Sequence, residues 1–123
     1  MTVRLFATSR YEKEVRRLLD EPEQAALQLA IAADPEAHPI VPGAGGVRKA
    51  RWGRQGKGKS GGVRVIYYYW RVVEDISAQV LDREVYLLSI YAKNEQSNMT
   101  AADRKAAKKF VEALKDAKKQ AGK

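Results

Sequence analysis

The sequence predicts one small α+β domain with the element order βααβββα, a mainly antiparallel sheet flanked by helices. Three observations lead there. Val63–Val73 and Glu84–Ala92 are apolar at nearly every position and rich in Val, Ile, Leu and Tyr, the pattern of strands covered on both faces. Apolar residues recur at helical spacing in two stretches before Asp34 and in one after Thr100. The length of 123 residues, 45% of them hydrophobic, suits a single domain with a single core.

Each element has its own signal. Val3 to Phe6 is a short strand candidate. Ser9 followed by Glu12 fits a capping box, and Tyr11, Val15, Leu18 and Leu19 then share one helical face. Pro22 suits the first turn of a second helix, whose apolar face is Ala26, Leu27, Ala30 and Ile31, to about Ala33. These helices read as a hairpin packed on the sheet. Asp34 to Gly46 holds three prolines and three glycines and reads as a loop. Val47–Trp52 and Val63–Val73 read as antiparallel strands. Asp75 to Arg83 stays open, with an enlarged turn as one reading, before the strand Glu84–Ala92. Thr100 with Asp103 resembles a capping box with the shorter acid. It opens a C-terminal helix with Ala102, Ala106, Phe110, Val111 and Leu114 as apolar face. Lys108, Lys109, Lys115, Lys118 and Lys119 crowd its later turns, where cations suit the helix dipole, and read as a solvated face.

The stretch between the second and third strands carries the functional signal. Gly53 to Gly62 holds five glycines and no apolar side chain. From Arg48 to Arg64 there are seven cations (Arg48, Lys49, Arg51, Arg54, Lys57, Lys59 and Arg64) and no acid. A merely solvated hairpin usually mixes signs. With a formal net charge of +8, the expected partner is anionic, nucleic acid first. Cys is absent, so no disulfide framework or cysteine metal site exists; this suits a reducing cytoplasm. No apolar run has transmembrane length, and a basic membrane-surface protein is disfavoured because the charge sits in a glycine loop as well as on helices, so no membrane partner is expected. No cofactor and no metal are expected.

Gly53–Ser60 matches the P-loop pattern letter for letter, but that loop needs a helix after it to meet the phosphate, and here a strand follows. A different resemblance spans most of the chain. Gly45-Gly46-Val47-Arg48-Lys49, the block Gly56 to Tyr68 (GKGKSGGVRVIYY) and the block Val85 to Glu95 (VYLLSIYAKNE) are similar to the RelE/HigB toxins of bacterial toxin–antitoxin pairs, in particular the HigB-like branch. The resemblance implies a small RelE-like fold that cleaves messenger RNA, commonly in the ribosomal A site. It also implies a cognate antitoxin with a DNA-binding domain, operator DNA being reached only through it.

By that resemblance, the basic pair of the second strand falls on Lys49 and Arg51, and the arginine after a Gly-Gly pair on Arg64. The basic residue after the fourth strand has Lys93 as its nearest match. RelE itself has an arginine one residue later, where this chain has Asn94, and its tyrosine near the last helix has no direct counterpart, with Tyr91 nearby.

The residues themselves leave alternatives. Arg64 reads as a phosphate fork or as half of a buried ion pair. Lys49 and Arg51 share a strand face. Arg48, Arg54, Lys57 and Lys59 read as RNA-binding, though Lys57 and Lys59 equally serve solubility. Tyr67, Tyr68, Tyr69 and Trp70 read as core or as base-stacking surface, core being favoured for at least half of them. Tyr91 and Lys93 are the proton-handling candidates. His38, the single histidine, reads as a loop residue. With no Cys, one such His and no carboxylate cluster, the expected chemistry is attack by the RNA 2′-hydroxyl on the adjacent phosphate, without metal. The competing readings are a non-catalytic RNA- or ribosome-binding module with the same basic face, and an inactive copy kept as a binding partner in its operon.

Overall fold

The computed structural model describes residues 3–53, 62–73, 77 and 80–121. The elements are β1 (Arg4–Ala7), α1 (Ser9–Leu18), α2 (Glu21–Ala33), β2 (Arg48–Trp52), β3 (Val63–Val73), β4 (Val80–Ala92) and α3 (Ala101–Ala121). They form an α+β domain of three helices and a mixed four-stranded sheet in the order β1-β4-β3-β2. β1 runs parallel to β4, while β2/β3 and β3/β4 are antiparallel. Among the described residues no helix is long and apolar enough to cross a membrane.

Both faces of the sheet are covered, as the continuous apolar runs predict. Tyr11, Val15, Leu27 and Ile31 of α1 and α2 bury Val63, Val65, Tyr67, Val85, Leu87 and Ile90. Ala107 and Val111 of α3, with Val47 and Met99, bury Ile66, Leu88 and Tyr91 on the other side. Of the aromatic run, Tyr67 is core, fully buried with its hydroxyl donating to the Pro35 carbonyl at 2.6 Å; the half-buried Tyr68 and Tyr69 pack against opposite layers, and the half-buried Trp70 lies outside both, with Lys118 over its ring. Gly45 lets the loop before β2 slide beneath α3. Its φ is +78°, and a Cβ there would meet the Lys108 backbone at 3.0 Å.

β4 contains a bulge. Ile66 pairs with Ser89 and Tyr67 with Leu87, so Leu88 is the extra residue. Leu87 and Ile90 pack under α1 and α2, whereas Leu88 and Tyr91 pack under α3. The bulge is what brings Tyr91 to the face that carries Arg64, its cross-strand partner.

Four expectations are corrected. The α1 cap is Thr8, not Ser9: its Oγ1 accepts the Tyr11 N–H at 3.1 Å and donates to the Leu88 carbonyl at 2.6 Å, so Ser9 is already helical. β1 lies one residue later than Val3–Phe6, because its register is set by pairing with Glu84–Leu87. Val80 to Arg83 belong to β4, long-range pairing with Arg71–Val73 overriding a polar local sequence; residues 74–76 and 78–79 lie outside the described set. On α3 the sheet-facing stripe is Ala107 and Val111, while Ala102 and Ala106 are exposed. The capping box itself forms, Asp103 N–H donating to Thr100 Oγ1 at 3.0 Å and Thr100 N–H to Asp103 Oδ2 at 3.1 Å.

Lys118 also departs from the solvated face expected of it. It bonds the Glu84 carboxylate, which is only 2% exposed and also receives Tyr86 Oη at 2.5 Å and Arg4 Nη2 at 2.6 Å. Burial alone would raise the Glu84 pKa, but the Lys118 bond, the Tyr86 hydroxyl and the charges of Lys118 and Arg4 outweigh it and hold it below the ordinary 4.5. A depressed folded-state pKa stabilises above the unfolded value and the benefit is lost as pH falls through the folded one. Breaking a buried pair costs about 3–5 kcal/mol, but Lys118 and Arg4 are partly exposed and can rehydrate, so Glu84→Gln is expected to cost about 2 kcal/mol at neutral pH. Thermal melts should show the wild-type advantage shrinking below pH 4.5. An equal difference at pH 7 and in strong acid would mean that the ion pair is not its source.

Candidate functional site

Strand alternation and register assemble the basic residues. Arg51 pairs with Arg64, and Arg64 with Tyr91, in one row across β2, β3 and β4. Lys49 lies one row away on the same face, paired with Ile66. Like charges directly opposite on a sheet are destabilising, so the Arg51–Arg64 pair stands at a cost to the fold. Arg64 is half-buried, and its guanidinium donates to the Val63 carbonyl at 3.1 Å, leaving most of its donors unused by the described residues. Arg51, Trp52, Gly53, Gly62 and Arg64 line a cleft of about 270 Å³. A planar guanidinium beside such a cleft suits a phosphate.

The cluster perturbs its own titration. Desolvation, then repulsion from Arg51, Arg64, Lys93 and Arg104, lowers the Lys49 pKa. Among the described residues, Lys49 Nζ bonds a neutral partner, Asn98 Oδ1 at 3.3 Å. The lysine that the cations prime toward the neutral amine is therefore Lys49.

Tyr91 is 9% exposed, and its hydroxyl has no hydrogen-bond partner among the described residues. Burial raises its pKa, with Arg64 and Arg104 opposing and Asp103 reinforcing, so it stays a phenol at neutral pH. Buried polar groups are nearly always paired, and an orphan hydroxyl marks a place where something else belongs. Tyr91 also walls a second cleft of about 470 Å³ between α1 and the end of β4.

The other expected site residues lie as follows. Lys93 is exposed at the end of β4, its N–H bonded to the Gly62 carbonyl at 2.9 Å, and its charge reaches Lys49. Arg48 stands on the opposite face, donating to the Glu36 and His38 carbonyls at 3.1 and 2.8 Å, and so braces the loop after α2. Arg54, Lys57 and Lys59, with most of the P-loop-like letters, lie outside the described residues; the next element after them is the strand β3. His38 packs edge-on to Tyr67 in its loop. Among the described residues no three of His, Cys, Asp and Glu are grouped to hold a metal. One residue that sequence reasoning passed over, Arg104, sits close enough to act on both Lys49 and Tyr91. Its signal is spacing: it precedes Val111 by one heptad and Lys118 by two.

No protein-family model matches this chain.

Proposed function

We propose that this protein is an endoribonuclease toxin of the RelE/HigB type, with a RelE-like fold, that cleaves messenger RNA in the ribosomal A site and is neutralised by a cognate antitoxin. The observation that carries the reading is the placement of Lys49, Arg51, Arg64 and Tyr91 on one sheet face, the Tyr91 hydroxyl having no partner among the described residues. The acid-free hairpin sequence and the observed element order support it.

In the reaction, the Lys49 amine accepts the proton of the RNA 2′-hydroxyl. The 2′-oxygen bonds to phosphorus and the bond to the 5′-oxygen breaks. Tyr91, neutral at working pH, donates its proton to that leaving oxygen. Arg51 and Arg64 stabilise the charge growing on the phosphate. The products are a 2′,3′-cyclic phosphate and a 5′-hydroxyl, and Lys93 adds positive field at the rim.

Induced expression should arrest growth and fragment messages, and co-expression of the antitoxin should restore growth. Mapped RNA 5′ ends should carry hydroxyls, and a single 2′-deoxy substitution at the cleavage position should stop the purified reaction. Growth arrest with intact messages would favour the non-catalytic ribosome-binding module. Normal growth with soluble, folded protein would remove the toxin reading.

A further inference from the structure

We propose that Arg104, on the first turn of α3, is a substrate-contacting residue of this site, closing it from above the sheet and binding an RNA phosphate next to the one held by Arg64. The inference rests on the ribonuclease reading and deepens it: the ligand is a polynucleotide engaged at two successive phosphates, not a single phosphoryl group.

The helix phase carries the argument. Arg104 stands three and seven residues before Ala107 and Val111, the two α3 residues buried against the sheet. The same stripe continues to Lys118, which reaches Glu84 on β4. Residues spaced this way share one helix face, so Arg104 points at the sheet, while Lys105, Lys108 and Lys109 are exposed. Arg104 is half-buried and makes no side-chain hydrogen bond or ion pair with a described residue, whereas Asp103 beside it is bonded to Arg10, Gln96 and the Thr100 backbone. A half-buried guanidinium without a counter-ion is costly unless a ligand supplies one.

The start of α3 is also held in place over the site. Arg10 of α1 bonds Asp103 at 2.9 Å, Asn98 accepts from Lys49, and Met99 packs in one cluster with Tyr91 and Ile66. A second observation points to the same spot: the Tyr91 hydroxyl, nine-tenths buried and unpartnered, lies within the field of both Arg104 and Arg64. Lys49, Arg51, Arg64, Lys93 and Arg104 together exceed the charge of one phosphate, and a chain of phosphates matches them.

The test compares wild type with Arg104→Gln, Arg104→Lys and the charge-matched control Lys105→Gln, in single-turnover cleavage of a defined RNA and in binding of the same RNA carrying a 2′-deoxy scissile nucleotide. Arg104→Gln should lower the cleavage rate at saturating protein by about tenfold to a hundredfold, with Arg104→Lys between it and wild type. It should also weaken binding of the inert RNA and flatten its salt dependence more than Lys105→Gln does. Wild-type activity with Arg104→Gln no different from Lys105→Gln overturns this assignment alone. A wild type that neither cleaves nor binds RNA overturns the ribonuclease reading and this assignment with it. Unchanged melting temperatures exclude misfolding as the cause of a loss.

Discussion

Arg64→Ala is expected to lower single-turnover cleavage by about a hundred- to a thousand-fold, or about 3–4 kcal/mol of transition-state stabilisation. The variant should fold normally. Among the described residues its side chain contributes one hydrogen bond, to the neighbouring Val63 carbonyl, and it faces Arg51 across the strand pair, so its removal relieves repulsion as much as it removes contact. The Lys49 pKa should move upward as one of the charges depressing it disappears, so the ascending, acid-side limb of the pH–rate profile, set by deprotonation of this base, should shift to higher pH. Near-normal turnover, or a variant that loses activity only because it melts, would mean that the centre is assigned to the wrong residue.

Tyr91→Phe separates the chemical role from the packing role. The ring is part of the layer under α3, and Phe keeps it. The hydroxyl it removes has no partner among the described residues, and an unsatisfied buried hydroxyl costs about 1–3 kcal/mol, so the variant should melt at the wild-type temperature or above. Cleavage should nevertheless fall by about a hundredfold or more, the usual contribution of a positioned acid or base. A substrate whose 5′-oxygen is replaced by sulfur leaves without protonation, and should recover most of the lost rate. Equal losses on both substrates would show that Tyr91 positions RNA and does not donate a proton.

How far the sequence could be read depended on how each signal is encoded. The β3 and β4 runs declare both the strands and their two covered faces, because Val63, Val65, Ile66, Tyr67, Val85, Leu87, Leu88 and Ile90 are all buried, divided between the two layers. The bulge at Leu88 is invisible in that same run, since an apolar residue suits either face. The α3 phase misleads because Ala102 and Ala106 bury little area in any orientation; Val111 and the Lys118–Glu84 pair decide it. Phe110 and Val111 of the expected face do pack on the sheet, but a stripe drawn through Ala102 and Ala106 leaves Arg104 to one side. The alternation rule that joins Lys49 to Arg51 also sends Arg48 to the far face, so grouping Arg48 with the RNA-binding residues rested on charge alone.

The extra residue in β4 gives the two halves of that strand opposite parity. Pairing the same residues in a regular ladder, without the bulge, would slide everything beyond Leu88 by one position, turning Ile90 toward the cations and Tyr91 into the apolar layer beneath α1 and α2. Deleting Leu88 has the opposite outcome: the bulge goes, Ser89 stays opposite Ile66 and Tyr91 opposite Arg64, and both faces are kept. The side of the sheet on which Tyr91 stands is thus set by ladder register and not by side-chain chemistry, and a one-residue slip of β4 against β3, with no change of sequence, would exchange the two faces of its second half.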